Sequence, residues 1–305
     1  RMRRAKKIGI VCVGILMVVF MFLSYSNLFG GETKRDITKI SVIGIKRKNS
    51  QVEDFKRGIE EAANAKRVDV EYLEIEEDYD TIKEYIDREI KNGSQALIVF
   101  SEKEEQILSY LQSEKKKIPL ILVNPGGTEE KAVRVWFDVQ DMTECLAEKI
   151  LEKRQEDEPV VYLTDEKEMS ERMWAVFQKT FQKQGITIEK KKMTLPNLAR
   201  YRDQKQPAMF ICSSPKITEE ASDYLKSKNQ ILYGIGYSDE VLQRIREGKV
   251  EGVMAYSMYS FGIYAVKSAV YAIEEKKVEH LTKTKCEWIT QDNIKEKYDF
   301  LFPIY

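Results

Sequence analysis

The stretch Leu232–Tyr256, LYGIGYSDEVLQRIREGKVEGVMAY, carries five pieces of architecture in a row. A short apolar run closes in Gly234, Gly236, Tyr237, Ser238 and Asp239. Val241, Leu242 and Ile245 then fall on one face of a helix. Gly248 supplies the stop, and a second apolar run starts near Val250. A strand that ends in a polar, glycine-lined turn and feeds a helix is the repeating unit of an open α/β sheet. In such sheets small ligands sit outside the carboxyl ends of the strands.

The same rhythm runs through the rest of the chain. KISVIGI, VDVEYLEI, QALIVF, IPLILVN and AVRVWFDV read as strands. SQVEDFKRGIEEAANA, DTIKEYIDREIKNG and EEQILSYLQSEK read as the helices between them. The pattern then restarts with MTECLAEKILEKR, PVVYLT, SERMWAVFQKTFQKQG, TIEKKKM, a polar patch near Asn197–Gln206, AMFICS and TEEASDYLKSK. After the opening stretch come the long helix SFGIYAVKSAVYAIEEK and a late strand, CEWIT. Strands and helices alternating at this spacing predict parallel sheets built from βαβ units. Two runs of alternation predict an α/β protein of two doubly wound parallel-sheet lobes.

The beginning of the chain differs. Five Arg and Lys residues within positions 1–7 precede an almost wholly apolar segment, residues 8–29. At about 1.5 Å per residue that segment covers about 33 Å, enough for a bilayer core. The expectation is a transmembrane helix over 8–29, a cytoplasmic flank over 1–7, a linker over 30–37 and an extracellular remainder. A cleaved signal peptide is the rival, since Ser24-Tyr25-Ser26 has the small-x-small form of a cleavage site. Lys+Arg 50 against Asp+Glu 50 leaves no basic field for nucleic acid. Beyond the apolar segment stand Cys145, Cys212 and Cys286, an odd number whose spacing fits no metal site; they are expected as buried free thiols. The single histidine, His280, follows a charged helix end, which removes histidine triads and most zinc sites. No catalytic set, metal site or cofactor motif is expected.

The order of these elements resembles the type I periplasmic binding proteins, the superfamily of ribose- and galactose-binding proteins and of lac-repressor-like cores. The residues carrying the likeness include ISVIGI…FKRGIEEAA, GSQALIVF, KKIPLILVN, FDVQDMTECLAEKIL, PAMFICSS, the opening stretch with its following helix, and WITQDNI. The resemblance implies two lobes joined by three hinge crossings, near Asp138, Tyr256 and Lys283–Lys285. The N-terminal lobe would comprise 38–138 plus 257–283, and the C-terminal lobe 139–256 plus 284–305. Ligand would lie between them.

The residues that the resemblance directs to the cleft are Asn49, Asn124, Trp136, Ser213, Tyr237, Ser238 and Tyr256; Arg172, at the start of its helix, is a further candidate for an anionic or hydroxylated ligand, or a solvated side chain. Several depart from the sugar-binding pattern. Asn124-Pro125 stands where many members have Asp-Arg, Ser213-Ser214 where Asn-Asp is common, and Ser238 where an aspartate is expected. The inferred cleft is therefore less charged and more aromatic. Ser213 and Ser238 also suit helix capping. Three functions follow: a membrane-anchored, sugar-sensing accessory of a partner such as a histidine kinase; the binding component of an ABC-type sugar importer, working with its permease; or a degenerate lobe pair that serves as an interaction module. None is an enzyme.

Overall fold

The computed structural model describes residues 37–301 apart from 46–49, 76–77, 102–103, 124–131, 156–157, 204–206, 226, 228 and 280. The apolar segment 8–29 lies outside the described residues, as do Asn49, Asn124 and His280. Among the described residues no helix is long and apolar enough to cross a membrane. The compact unit Lys39–Tyr305 holds all the elements below.

Six strands, β1 (Lys39–Ile45), β2 (Asp69–Ile75), β3 (Ala96–Phe100), β4 (Leu120–Leu122), β5 (Val133–Phe137) and β11 (Leu281–Thr284), form one sheet. Its order is β11-β5-β4-β3-β1-β2, and every pair is parallel. The second sheet contains β6 (Val160–Thr164), β7 (Ile188–Lys192), β8 (Ala208–Cys212), β9 (Gln230–Ile235), β10 (Gly252–Tyr256) and β12 (Cys286–Thr290). Its order is β12-β10-β9-β8-β6-β7. Strands such as ALIVF and AMFIC are apolar along their length because helices cover both faces of each sheet.

In the N-terminal lobe, α1 (Ser50–Lys66) and α9 (Met258–Ile273) pack together over one face through Phe55, Ile59, Phe261 and Val266. On the other face α2 (Tyr79–Lys91) and α3 (Glu104–Ser113) contribute Ile82, Ile86, Ile107 and Leu111. The C-terminal lobe has α4 (Val139–Lys153) and α5 (Glu168–Lys183) on one side, with Leu146 and Phe177 inward. Its other side carries α6 (Leu195–Asp203), α7 (Pro215–Tyr224) and α8 (Asp239–Arg246). A short α10 (Tyr298–Leu301) ends the described chain.

The chain passes between sheets three times: between β5 and α4 at Asp138, between β10 and α9 at Ser257, and between β11 and β12 at Lys285. Parallel strands of both sheets therefore end where the lobes meet. Asp138 fixes the first passage. Its Oδ1 accepts from the Gln140 and Asp141 amides at 3.0 and 3.2 Å, capping α4, and its Oδ2 accepts from Lys283 of β11. Burial works against the charge, but Lys283 and those amides hold the Asp138 carboxyl below the usual range.

Beyond the strand β11, which the sequence did not announce, two features differ from the expectation. The polar patch near Asn197 is the helix α6, because Leu198 and Tyr201, one turn apart, bury against the second sheet; the Tyr201 ring stands edge-on to Phe210 at 5.1 Å. The second sheet is mixed, since β12 runs antiparallel to β10. The cause is the passage at Lys285. β10 runs toward the junction, and β12, entering directly from it, must run away.

The described cysteines are free; Cys212 is buried as expected, whereas Cys286 is half-buried and Cys145 is exposed. It lies on the outer side of α4, beside the buried Leu146 and Ala147. Burial pushes the Cys212 thiol up to about 12, and burial with the nearby Cys145 pushes Cys286 up to about 12. Of these three thiols, iodoacetamide near pH 8 is expected to modify Cys145 alone in the native protein, and Cys212 and Cys286 only after unfolding. Peptide mass mapping checks this; native labelling of Cys212 as fast as Cys145 would contradict the packing.

Candidate functional site

The strand ends at the passages bring several candidate residues together. Trp136, next to last in β5, is 9% exposed. Its ring lies 4.7 Å from Phe261, 5.2 Å from Phe137 and 5.9 Å from Tyr256, centroid to centroid. Tyr256, the last residue of β10, is half-buried and stacks on Phe137 at 4.8 Å and on Phe261 at 5.8 Å. These four rings form an aromatic junction across the first two passages. Offset rings at such distances stabilise beyond their buried area, by about 0.5–1.5 kcal/mol per pair. The Trp136 Nε1 donor is buried with no hydrogen-bond partner among the described residues.

Gly236 connects this junction to the turn after β9. Its φ is +75°, and an added Cβ would lie 3.0 Å from Pro215 Cγ and 3.2 Å from Tyr256 Cε1. The loop after β8, the turn after β9 and the end of β10 thus converge. Ser213 follows β8 directly, and its amide donates to the Leu163 carbonyl at 3.0 Å. Its Oγ is buried beside the Tyr162 hydroxyl without a well-formed hydrogen bond; Tyr162 donates instead to the Ser170 carbonyl at 2.8 Å.

Tyr237 and Ser238 have other work. Tyr237 is 1% exposed, and its hydroxyl donates to the Leu301 carbonyl at 2.9 Å. Burial, with the charge of Asp54 next, pushes its phenol up. Among the described contacts it is a wall of the C-terminal lobe, not an open platform. The Ser238 Oγ accepts from the Val241 amide at 3.1 Å and caps α8, while its hydroxyl donates to Glu219. The Ser238 hydroxyl is thus a helix cap as well as a ligand candidate, with its O–H and one lone pair engaged.

Arg172 lies just after the first turn of α5, half-buried. Its charge reaches Arg134, a buried guanidinium in β5, and burial together with Arg172 holds Arg134 below its ordinary range. One cation therefore comes from each lobe. Arg134 was not a sequence candidate, nor were Phe137, Phe261, Asp54 or Arg57. Asp54 and Arg57 sit one helical turn apart in α1, joined by an Arg57-to-Asp54 ion pair, and their charges act on the Tyr237 phenol in the other lobe. The polar side chains contributed to this region are thus an indole N–H, a serine hydroxyl, three cations and a carboxylate. That inventory suits a ligand with several hydrogen-bonding groups.

A sequence profile described as periplasmic binding protein domain matches residues 40–277. No curated protein sequence matches the chain. Among solved structures, a periplasmic ribose ABC transporter protein from Conexibacter woesei superposes with a TM-score of 0.75 at 16% identity, covering 85% of this chain and 94% of that one. A solute-binding protein of an ABC transporter from Agrobacterium vitis, bound with alpha-D-tagatopyranose, gives 0.72 at 15% identity, covering 88% and 100%. The XylFII–LytSN complex gives 0.69 at 16% identity, covering 85% and 99%.

Proposed function

The chain belongs to the family of periplasmic binding protein domains, and on that premise we propose that it is a non-enzymatic receptor holding a sugar-class solute between its lobes. The observation that carries the reading is the convergence of strand ends on one junction where the Trp136 Nε1 donor is buried with no hydrogen-bond partner among the described residues. Buried polar atoms are ordinarily satisfied, so such atoms at a predicted cleft mark where a ligand's own polar groups belong. Trp136 and Tyr256 supply apolar faces of the kind that stack on sugar rings. Arg172, with the candidates Asn49 and Asn124, completes the proposed contacts.

The apolar segment 8–29 with its basic flank favours a single-pass anchor, with the binding lobes on the extracellular side. An anchored receptor that keeps its ligand close to the membrane suits a sensor accessory reporting to a membrane partner such as a histidine kinase. A structural neighbour held in a two-protein complex supports this reading. Service to an ABC permease is the second reading, favoured by neighbours from ABC transporters.

A thermal-shift series with D-ribose, D-arabinose and D-tagatose tests the sugar assignment. A true ligand at 100 times its Kd adds about 2.7 kcal/mol of stability. Tyr256→Ala is expected to weaken that ligand about tenfold, the equivalent of roughly 1.4 kcal/mol of lost stacking and packing. If no sugar shifts the melting temperature, the interaction-module reading replaces this one.

A further inference from the structure

The N-terminal lobe buries two carboxylates in contrasting ways. Glu89, at the end of the lobe away from the junction, is fully buried and has a complete set of partners: Ser41 Oγ at 2.9 Å, Arg88 Nε at 2.9 Å and Lys39 Nζ at 3.4 Å. Burial works against its charge, yet those donors hold its carboxyl below the usual range. Asp54 is 5% exposed and half-served. Its Oδ1 takes the Arg57 guanidinium, while its Oδ2 is buried with no hydrogen-bond partner among the described residues. Burial pushes the Asp54 carboxyl up, against the effect of Arg57 and with that of Asp239 and Glu53. Asp239 opens α8 in the other lobe, so Asp54 faces across the junction.

We infer that Asp54 is a further specificity-determining residue of the cleft, its Oδ2 accepting a hydroxyl of an uncharged polyol while Arg57 balances its charge. The inference rests on the solute-binding reading and goes beyond it by restoring a charged grip. The Asp-Arg pair that the resemblance places after β4 is Asn124-Pro125 here, and α1 presents an Asp and an Arg together from another position. A bare buried carboxylate oxygen is costly, and a hydroxyl donor supplies the missing bond. The carboxylate's charge is already matched by Arg57, so the complementary group is neutral, not an ammonium.

The pH dependence has a definite sign. A donated hydroxyl favours ionised Asp54, so protonation weakens binding, and the dissociation constant rises as pH falls. The groups facing Asp54 are Arg57 and Glu53 of its own helix and Asp239 and Tyr237 of the opposite lobe. The test is isothermal titration of the full-length chain with D-ribose, D-arabinose and D-tagatose, over about pH 7.5 to about pH 4.5, for wild type, Asp54→Asn and Asp239→Asn. Asp54→Asn is expected to weaken the sugar that binds by about tenfold and to flatten the pH profile. Asp239→Asn should keep a pH-dependent profile, moved to lower pH because Asp239 helps push the Asp54 carboxyl up.

The unliganded melting temperature separates a binding role from a structural one. Asp54→Asn removes a poorly partnered buried charge, so the temperature should hold or rise. A fall of several degrees at unchanged affinity overturns the inference. So does binding by Asp54→Asn within twofold of wild type, which leaves the receptor reading intact. If wild type takes none of the three sugars, that reading fails, and the inference falls with it.

Discussion

Gly58→Ala is expected to remove about 3 kcal/mol or more of stability, the upper end of what overpacking costs. Gly58 lies where α1 crosses α9, and an added Cβ would fall inside contact with the Tyr259 carbonyl oxygen, 2.9 Å from the carbonyl carbon and 3.2 Å from the Ile263 amide. Gly262 is its counterpart; a Cβ there would lie 2.7 Å from the Ile59 nitrogen and 2.9 Å from the Gly58 carbonyl carbon. These neighbours are backbone, so no side chain can swing aside. The helix axes would have to separate, opening the contacts of Phe55, Ile59 and Phe261 beneath them. Gly93→Ala is the control. It meets nothing within 4 Å, and only its φ of +86° opposes the change, a strain of about 1–2 kcal/mol. Urea titrations of the two variants decide; a Gly58→Ala loss no larger than that of Gly93→Ala would refute the close crossing.

Glu89→Ala should cost about 2–3 kcal/mol, with a dependence on acidity that identifies the cause. Removing one member of a buried charged set strands the others, at about 3–5 kcal/mol when all are buried. Lys39 and Arg88 keep 21% and 47% of their side-chain surface exposed, so water takes part of that loss. The Glu89 carboxyl is held below its ordinary range in the folded chain, chiefly by Ser41 and Arg88 acting against burial. Its contribution is thus present above the unfolded carboxylate range and is lost as pH falls through the folded value. The gap in urea midpoint between wild type and Glu89→Gln should narrow from about pH 6 to about pH 3. A constant gap would mean that Glu89 acts through packing alone.

The fold was legible because its strands are apolar and its helices amphipathic. ALIVF, AMFIC and LYGIG announce buried strands by content alone. The sequence is silent where an element is made by tertiary contact. LTKT forms β11 only because β5 offers it a free edge, and nothing in those four residues separates a strand from a loop. LPNLARYRD folds as α6 around two buried side chains, too few to mark a period. The site divides in the same way. Trp136 and Tyr256 were proposed from their places at the ends of apolar runs, and the structure puts their rings 5.9 Å apart. Ser238 was ambiguous because a serine after a strand suits a ligand and a helix cap equally. Asp54 was invisible: the pattern Val52, Phe55, Ile59 assigns it to the polar face, yet it is buried, and the charge of Asp239 in the opposite lobe acts on it. An acidic residue followed three positions later by Arg57 was the one available hint.

The passage at Lys285 has a consequence for how the chain acquires its shape. The first sheet is completed by β11 and the second by β12, two neighbouring strands separated by one residue and lying near the end of the sequence. Their partners, β5 and β10, are made much earlier. Neither lobe can therefore close its sheet from the contiguous part of its own chain, and both wait for the same late segment. Contacts so distant in sequence slow folding, because long loops must be closed before they are rewarded. During synthesis or translocation the whole chain must be delivered before either half is finished. Premature termination just before Leu281 would strip an edge strand from both lobes at once, so its damage would not be confined to one of them.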